Sequence, residues 1–315
     1  MELQFLGTGA GMPSKIRNTS AAVLNLSAEG EGYWLFDCGE ATQHQILHTN
    51  LKPRKITKIF ITHLHGDHIY GLPGLIGSRS FLGGDERLDI YGPSGLDEWL
   101  ETTLRITKVH LNYALGIHEI GEGFVFEDEK FRVSAKSLQH VIPCLGYRIE
   151  QKELPGKLLI DKAVVAGVPK GPLLKQLKDG KDVTLEDGRV VRSEDVTGDP
   201  EKGFTVAILG DTSYCLAAVE LARGADILVH EATFDTETGN LAREYGHSTI
   251  GDAALVAKQA GVKVLIANHI SARFMPSDLA KLKEQGEAIF PVLHIAEDFA
   301  RFEWRDGEVI RLEEF

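Results

Sequence analysis

The residues best suited to chemistry are three histidines and an aspartate within six positions, at His63, His65, Asp67 and His68. Imidazole nitrogens and carboxylate oxygens are the usual nitrogen and oxygen ligands of zinc and similar divalent cations. Crowding such groups is costly unless a positive charge neutralises them. The density of the cluster therefore predicts a divalent-metal site. The alternative is a polar loop of ordinary, hydrogen-bonded histidines.

The surrounding sequence indicates how this cluster is held. Residues 56–62 form an apolar, β-branched run that is typical of a buried strand. His63 and His65 follow it at positions i and i+2, a spacing that lies on one side of extended backbone. Asp67 and His68 lie further along the chain. We expect the two histidines to bind one ion from the strand end, and the next two residues to point at a neighbouring position.

Other strand-like runs end in the same kinds of residue. Apolar segments lead into His140, Asp211, the pair His230–Glu231, and His269. Ligands gathered at one edge of a sheet sandwich would make a shared site physically sensible, although spacing alone does not establish that they converge. Taken alone, His140 fits a structural histidine better than a ligand.

The bulk composition is typical of a globular protein. The 315 residues are 43% hydrophobic and 25% charged, which suits one large domain or two small ones. No apolar run approaches the roughly 20 residues of a membrane helix, so no membrane partner is expected. The chain begins in strand-like residues without a leader pattern, and its three cysteines are widely spaced. Both features predict a cytoplasmic protein with reduced thiols.

The charge distribution bears on nucleic-acid binding. A net charge of −12 argues against a nucleic-acid partner on its own. Residues 157–181, however, contain six lysines against two aspartates. This run lies within residues 154–203, where glycines and prolines interrupt the periodicity over a length too great for an ordinary connection. The segment therefore predicts an inserted arm that projects from the main body.

Two loops near the N-terminus are candidates for contacts with a ligand. Residues 7–11 are glycine-rich, but Pro13 interrupts the helix that a dinucleotide-binding fingerprint needs, so no nucleotide cofactor is expected. Residues 13–18 carry Lys15 and Arg17. The segment is either an exposed loop or a phosphate contact, for which the forked arginine side chain is suited.

This ordered set of motifs resembles the metallo-β-lactamase superfamily and, within it, the ribonuclease Z family of tRNA 3′-processing endonucleases, over essentially the whole chain. The superfamily pattern is HxHxDH followed by single His, Asp and His residues, which correspond to 63–68, His140, Asp211 and His269. The narrower match rests on six further motifs, FLGTG at 5–9, PSKIRN at 13–18, DCGEATQ at 37–43, HEAT at 230–233, HST at 247–249 and HISAR at 269–273.

The resemblance implies an α/β fold, the metallo-β-lactamase αββα sandwich, as a single domain over residues 1–315. It also implies that the arm at 154–203, with its Gly171–Pro172 step, is a flexible exosite that binds precursor tRNA. The length of the chain implies the short, homodimeric form of the family.

The resemblance further implies a metal centre with two Zn²⁺ ions per subunit, with Mn²⁺ as an alternative ion. His63, His65 and His140 would hold one ion, Asp67, His68 and His269 the other, and Asp211 would bridge the two. The implied reaction hydrolyses one phosphodiester and leaves a 3′-hydroxyl on the tRNA and a 5′-phosphate on the trailer.

Further roles follow from the same resemblance. Asp67 would also accept a proton from the attacking water, while His247, oriented by Glu231, would protonate the leaving oxygen. We expect His230 to be structural rather than a ligand. The implied substrate-binding residues are Lys15, Arg17, Gly171, Pro172, Ser248, Thr249, Ser271 and Arg273.

Two other functions remain open at this point. One is a hydrolase of the same fold that acts on a small phosphodiester, arylsulfate, thioester or lactone, because one fold supports many chemistries. The phosphate-binding loops and the basic arm count against it. The other is a non-catalytic RNA-binding protein with a relic metal site, and the complete set of ligand residues counts against that.

Overall fold

The computed structural model describes residues 1–305 and 307–312. The chain divides into two compact units. The first, the main unit, comprises residues 1–126, 133–149 and the described chain from residue 205 onward. The second, the small unit, comprises residues 127–132 and 150–204.

The strands of the described chain are numbered in chain order. They are β1 Glu2–Gly7, β2 Gly9–Ala10, β3 Ala21–Leu26, β4 Gly32–Phe36, β5 Ile56–Phe60, β6 Leu88–Gly92, β7 Leu115–Glu119, β8 Gly123–Glu127, β9 Phe131–Leu138, β10 Cys144–Gln151, β11 Val183–Thr184, β12 Val190–Val191, β13 Thr205–Leu209, β14 Ile227–Glu231, β15 Val264–Asn268, β16 Ile270–Ser271, β17 Leu293–Ile295, β18 Arg301–Arg305 and β19 Glu308–Leu312.

The α-helices are numbered in the same way. They are α1 Thr42–Ile46, α2 Gly66–Ile69, α3 Leu72–Phe81, α4 Leu96–Ile106, α5 Ile160–Val165, α6 Pro172–Lys178, α7 Ser193–Val196, α8 Leu216–Ala222, α9 Gly239–Tyr245, α10 Ile250–Ala260 and α11 Leu279–Glu287. Short 3₁₀ turns occur at Ser27–Glu29, Pro53–Lys55, Thr236–Thr238 and Pro276–Asp278.

The larger sheet has eight strands in the order β19-β18-β1-β3-β4-β5-β6-β7. The strands from β19 to β4 pair in antiparallel fashion, whereas β4, β5, β6 and β7 are parallel. β5 lies between two parallel neighbours, and its apolar side chains Ile56, Ile59 and Phe60 are buried. The HxHxDH segment therefore leaves the sheet at the carboxyl end of an interior strand, as its sequence predicts.

The second sheet has seven strands in the order β17-β15-β14-β13-β10-β9-β8. β13, β14 and β15 are parallel neighbours, so their carboxyl ends lie at the same edge. β14 is buried over its whole length, which agrees with the nearly continuous apolar sequence of a strand covered on both faces. This topology brings the residues after the three strands, among them Asp211 and His269, to one edge of the sheet.

The two sheets of the main unit pack face to face through aromatic side chains. Trp34 of the first sheet lies 5.6 Å from Phe126 of the second, between ring centroids, and Phe60 lies 5.2 Å from Tyr147. The Tyr147 hydroxyl donates a hydrogen bond to the carbonyl of Ile61 at 2.6 Å, so the polar end of this buried ring is satisfied.

Helices cover the outer faces of both sheets. Apolar side chains of α1, α3 and α4 form one buried cluster with the larger sheet, and those of α8, α10 and α11 form another with the second sheet. The layers follow the order helix, sheet, sheet, helix. The predicted αββα sandwich is therefore present.

The small unit has a hydrophobic core of its own. Seven buried side chains come from α5, α6, α7 and the β11–β12 hairpin and from the turns between them, namely Ala163, Val168, Leu177, Val183, Leu185, Val191 and Val196. The buried Ser193 hydroxyl donates to the carbonyl of Leu177 at 2.7 Å. The segment predicted as an arm is thus a small folded unit whose helices have only four to seven residues. Helices this short are below the length at which apolar periodicity is visible in a sequence.

Candidate metal centre

The first group of candidate ligands comes from the carboxyl ends of β5 and β9. His63 and His65 lie in the turn that leads from β5 into α2, and His140 follows β9. Nε2 of His63 lies 3.1 Å from Nδ1 of His65, which in turn lies 3.2 Å from Nε2 of His140. Three ring nitrogens therefore converge on one point, and their binding of one ion stays a prediction.

The second group comes from α2 and from the residue after β15. Asp67 and His68 belong to the first turn of α2, while His269 follows β15. Nε2 of His269 lies 3.2 Å from Oδ2 of Asp67, and Nε2 of His68 lies 3.5 Å from the same oxygen. The two histidine Nε2 atoms are 3.3 Å apart. These three side chains form a second point of convergence.

Asp211 joins the two groups. It follows β13 and is only 3% exposed. Its Oδ2 lies 3.7 Å from Nε2 of His63 in the first group, and 3.5 Å from Nε2 of both His68 and His269 in the second. One carboxylate oxygen thus faces both groups, which is the arrangement expected of a ligand shared by two ions.

The outward ring nitrogens of the first group have partners of their own. Nδ1 of His140 donates to the carbonyl of Gly246 at 2.8 Å, and Nδ1 of His63 lies 3.0 Å from Oγ1 of Thr62. Because a carbonyl only accepts, the hydrogen of a neutral His140 ring is on Nδ1, so Nε2 presents a lone pair to the site. Such outer partners orient metal-binding histidines.

The second group is oriented in the same way. Nδ1 of His68 lies 2.8 Å from Oδ2 of Asp37, and Nδ1 of His269 lies 2.9 Å from Oγ1 of Thr233. Asp37 also accepts hydrogen bonds from the backbone and the hydroxyl of Thr62, at 2.8 and 2.9 Å. It therefore fastens the end of β4 to the segment that carries the histidines. Sequence reasoning missed this role, and its only signal is the DCGEATQ motif after a strand.

The donor set fits two divalent cations. In their neutral forms, His68 and His140 direct an Nε2 lone pair toward the centre, because Nδ1 of each ring donates to an acceptor outside it, and two carboxylates lie beside them. Lone pairs that face one another at such short range repel unless a proton or a cation lies between them, and imidazole with carboxylate is a ligand set that zinc accepts. Groups that could hold an ion include His63–His65–His140, Asp67–His68–His269 and His63–His68–Asp211.

The electrostatics of the site agree with this fit. Burial and the neighbouring His68 lower the pKa of His63 well below its ordinary value, which keeps the ring in the neutral form that binds metals. Burial opposes ionisation of Asp67, but hydrogen bonds from His269 and His68 hold the pKa of its carboxyl well below the usual range. Burial also opposes ionisation of Asp211, and the charges of His269 and His68 again outweigh it and lower its pKa. Burial disfavours the charged His68 ring, but the carboxylates of Asp211 and Asp37 outweigh it and raise its pKa well above the ordinary value. The two carboxylates are therefore ionised and His63 is neutral, whereas a cation that binds His68 would displace its proton.

His247 and Glu231 lie beside this centre. Nδ1 of His247 lies 2.8 Å from Oε1 of Glu231 and 3.8 Å from Oδ2 of Asp211. Burial disfavours the charged His247 ring, but the hydrogen bond and the charge of Glu231 outweigh it and raise the pKa to about 9. Asp211, His247 and His269 form a further group that could hold an ion, so position alone allows His247 to be either a proton donor or a ligand.

Glu231 is itself held firmly. It is 2% exposed, and its carboxylate accepts hydrogen bonds from the backbone of Thr212 and from the backbone and hydroxyl of Thr233. The adjacent His230 is fully buried and bonds through Nδ1 to the carbonyl of Glu231 at 2.7 Å. His230 belongs to none of the metal-binding groups found in the described chain, in line with the structural role expected of it.

The predicted substrate-binding residues fall into two sets. Lys15, Arg273, Gly171 and Pro172 are exposed, and Ser271 is partly exposed. Arg17, Ser248 and Thr249 are buried. The Arg17 guanidinium donates at 2.6 Å to both Thr8 Oγ1 and the carbonyl of Ala296. These contacts favour a structural role for Arg17, and phosphate binding by it stays a prediction.

The other two buried residues of this set also have local partners. The Ser248 hydroxyl donates to the carbonyl of Thr212 at 2.6 Å. The Thr249 side chain caps α10 by accepting from the backbone of Asp252, whose carboxylate accepts in return. These hydrogen bonds hold the backbone next to His247 in place. Direct contact of Ser248 or Thr249 with substrate stays a prediction.

Comparisons with known proteins bear on this site. A family model described as "Anti-Pycsar protein Apyc1" matches residues 1–152, slightly less than half of the 315 residues. Ribonuclease Z of Anoxybacillus flavithermus (strain DSM 21510 / WK1) is 54% identical over 302 residues, which cover 96% of this chain and 97% of that protein.

Solved structures give the same picture. Human tRNase Z, short form, is 32% identical with a TM-score of 0.71, and the match covers 96% of this chain and 99% of that one. The metallo-β-lactamase fold protein YhfI from Bacillus subtilis is 20% identical with a TM-score of 0.67 and covers 95% of this chain and 98% of that one. At this lower identity the similarity concerns the fold alone.

Fold and site together define a protein of the metallo-β-lactamase class with a site for divalent metal. Within that class, the chain belongs to the ribonuclease Z family. The predicted fold class, family and hydrolytic activity, that of a tRNA 3′-processing endoribonuclease, are confirmed by these relatives. The identity and number of the ions stay predictions. In the described part of the chain, no helix has the length and apolar character that crossing a bilayer requires.

Proposed function

We propose that the two ligand groups joined by Asp211 hydrolyse the phosphodiester that links a tRNA to its 3′ trailer, leaving a 3′-hydroxyl on the tRNA and a 5′-phosphate on the trailer. The observation that carries this proposal is the position of Asp211, whose Oδ2 lies 3.5 Å from His68 and His269 and 3.7 Å from His63. Precursor tRNA is the substrate that membership of the ribonuclease Z family implies.

Two Zn²⁺ ions per subunit are the proposed cofactors. His63, His65 and His140 would hold one ion, Asp67, His68 and His269 the other, with Asp211 shared. Such ions supply a water of lowered pKa and stabilise negative charge on the phosphate. Mn²⁺ is an alternative, because the nitrogen and oxygen donors suit several divalent ions.

Asp67 is the proposed acceptor of the proton from the attacking water. Its Oδ2 accepts a hydrogen bond from the backbone of Gly11 at 2.8 Å, which fixes the carboxylate beside His68 and His269. The low pKa of Asp67 makes it a weak base. It therefore works only on a water whose own pKa has been lowered, and this ties its role to the metal site.

His247 is the proposed donor of a proton to the leaving O3′ of the tRNA. Glu231 accepts the hydrogen on Nδ1 at 2.8 Å, so Nε2 of the same ring remains to donate. The raised pKa, about 9, keeps the ring protonated at neutral pH. An alkoxide is a poor leaving group, and general-acid help of this kind contributes roughly 10²- to 10⁴-fold in rate.

Exposed cations near the centre are the proposed phosphate contacts. Arg273 lies four residues after His269, and its Nε donates a hydrogen bond to Oγ of Ser271 at 3.1 Å. Its guanidinium also lies 4.6 Å from the centre of the Phe234 ring, which limits its freedom. Lys15 is exposed on the loop that follows Gly11. Both side chains suit backbone phosphates of a bound RNA.

The small unit is the proposed exosite for the body of the tRNA. The six lysines at 157, 162, 170, 175, 178 and 181 are all exposed, and Gly171 and Pro172 begin α6 among them. Binding of a folded RNA needs a localised basic surface rather than a basic protein, so this cluster is compatible with a net charge of −12.

A homodimer in the cytoplasm is the proposed state of the protein. Leu47 and Phe81 are 70% and 93% exposed at the ends of α1 and α3, two helices joined by a 2.6 Å hydrogen bond from Ser78 to Gln43. An apolar surface of this kind is suited to a second copy of the chain. Leu47→Asp should yield monomers in sedimentation equilibrium, whereas Leu216→Asp should not. An unchanged molar mass in Leu47→Asp would exclude this surface as the dimer interface.

The proposed location in the cytoplasm is supported by the cysteines. All three are free thiols, as expected in a reducing compartment.

The test of the proposed function is incubation of the purified protein and Zn²⁺ with a precursor tRNA that carries a 3′ trailer. We expect a single cut at the start of the trailer, with a 3′-hydroxyl on the tRNA fragment and a 5′-phosphate on the trailer fragment. Absence of such a cut, while a small phosphodiester such as bis-p-nitrophenyl phosphate is hydrolysed, would favour the alternative of a small-molecule hydrolase.

A further inference from the structure

Two exposed apolar side chains flank His247 and the candidate ligand His140. Val141 directly follows His140 and is 60% exposed. Tyr245 ends α9, two residues before His247, and is 55% exposed. A single exposed apolar side chain needs no explanation, but two beside one catalytic group point to a substrate contact.

The backbone holds these two positions close together. The carbonyl of Gly246 accepts the hydrogen bond from Nδ1 of His140 at 2.8 Å. Gly246 has φ of +72°, and a Cβ built on it would lie 3.2 Å from Cγ1 of Val141 and 3.1 Å from Nδ1 of His140. The turn that carries Tyr245 and His247 therefore lies directly against the segment 140–141.

The chemistry of the reaction identifies the part of the substrate nearest to this place. His247 donates its proton to the O3′ that remains on the tRNA. That oxygen belongs to the nucleotide on the 5′ side of the scissile phosphate. That nucleotide therefore lies beside His247, next to the turn that carries Tyr245 and the segment that carries Val141. An unpaired base offers two flat faces, and proteins bind such bases by stacking them on aromatic side chains.

Resting on the proposed function, we propose that Tyr245 and Val141 form a platform on which the base 5′ to the scissile phosphate stacks. Stacking on Tyr245 holds the sugar of that nucleotide so that its O3′ faces His247. Because every base has a flat face, the platform accepts all four bases, and it binds purines more tightly than pyrimidines because a purine covers more of the ring. The base must also be unpaired to reach it.

The test is a cycle of one protein change and one substrate change. A precursor tRNA is prepared with an abasic sugar in place of the nucleotide 5′ to the cut, and kcat/KM is measured for the wild type and for Tyr245→Ala. Loss of one stacked base costs about tenfold, so we expect the abasic substrate to react about tenfold more slowly with the wild type. Tyr245→Ala should lose about the same factor on the ordinary substrate and no further on the abasic one.

Three controls accompany the cycle. Tyr245→Phe keeps the ring and should keep the activity. Phe124→Ala removes another exposed ring, 64% exposed on β8, and should leave kcat/KM unchanged. Hydrolysis of bis-p-nitrophenyl phosphate and the thermal unfolding temperature should be the same for Tyr245→Ala and the wild type, because Tyr245 is exposed and contacts the base rather than the phosphate.

The outcomes separate this inference from the proposed function. Independent, additive losses from the abasic sugar and from Tyr245→Ala would overturn the platform, as would an equal loss of bis-p-nitrophenyl phosphate hydrolysis. Failure of the wild type to cut any precursor tRNA would overturn the proposed function, and the platform with it. Losses that do not add, with a purine preference that Tyr245→Ala abolishes, would support the platform.

Discussion

The Asp37 carboxylate lies 2.8 Å from Nδ1 of His68, while Nε2 of the same ring faces Asp67 and Asp211 at 3.5 Å. Asp37 itself has a positive φ of 56°, a conformation that few residues other than glycine adopt. One carboxylate at the end of β4 therefore sets the direction of a candidate ligand that belongs to α2.

Replacing Asp37 with Asn should weaken metal binding by about 10- to 100-fold, because the amide is a poorer acceptor for Nδ1 of His68 and no longer orients its ring. The measurement is competition for Zn²⁺ against a chelator of known affinity. Asp85→Asn makes the same chemical change at an exposed position and should bind zinc like the wild type. Equal affinities in the two variants would mean that Asp37 has only a structural role.

His247→Ala should lower turnover of precursor tRNA by roughly 10²- to 10⁴-fold, because the leaving oxygen loses its proton donor. Zinc content, measured by elemental analysis, should stay close to that of the wild type. His63→Ala provides the comparison and should lose both zinc and activity. If His247→Ala lost zinc as His63→Ala does, His247 would be a ligand.

The pH dependence of cleavage should report the state of His247. Its pKa is raised from 6.5 to about 9, so the donor is protonated below the raised value and is lost as the pH rises through it. Bound cations would lower the pKa of His247, so the alkaline limb of the kcat profile should lie between pH 6.5 and about 9. Glu231→Gln removes the charge that raises the pKa, and it should move that limb to lower pH. If the alkaline limb did not move in Glu231→Gln, the ionisation that causes it would belong to a group other than His247.

Substitution of Lys170 and Lys175 by Ala should weaken binding of precursor tRNA and reduce the slope of log affinity against log salt by about 2. These lysines flank the Gly171–Pro172 step and are exposed. Hydrolysis of bis-p-nitrophenyl phosphate should be unaffected. Lys108→Ala with Lys258→Ala, at exposed positions of the main unit, is the matched control. An identical salt slope in the two double variants would refute the proposed exosite.

Substitution is a sharper test of the small unit than deletion. Removing residues 157–181 would also remove Ala163, Val168 and Leu177, three of the buried side chains of its core. A loss of activity would then reflect unfolding as much as a loss of lysines. Exposed lysines are therefore substituted instead, and the buried core of the small unit is left intact.

Several of the candidate ligands could be predicted from the sequence because they follow strands whose apolar pattern is strong. His63, Asp211 and His269 come after buried strands, and parallel pairing within the second sheet brings the ends before Asp211 and His269 to one edge. The distances that join them depend on how the two sheets pack, and no local pattern carries that information.

Residues whose roles depend on distant partners could not be predicted. Arg17 is a cation in a polar loop, yet it is buried because Thr8 and the carbonyl of Ala296, 279 positions away, accept its hydrogen bonds. Helix α4 lacks a local capping side chain, since Glu119 of β7 accepts from the backbone of Gly95 and of Asp97. The usual signal for the start of a helix is therefore missing from the sequence.

The most direct test of the account is the dependence of precursor tRNA cleavage on bound zinc. Metal-free protein is loaded stepwise, and bound zinc per subunit and the cleavage rate are measured on the same samples. If both ligand groups must be filled, activity at one ion per subunit should be about a quarter of the maximum for independent filling and at most about half for cooperative filling, and it should reach its plateau at about two. Full activity at one ion per subunit would contradict the two-metal centre.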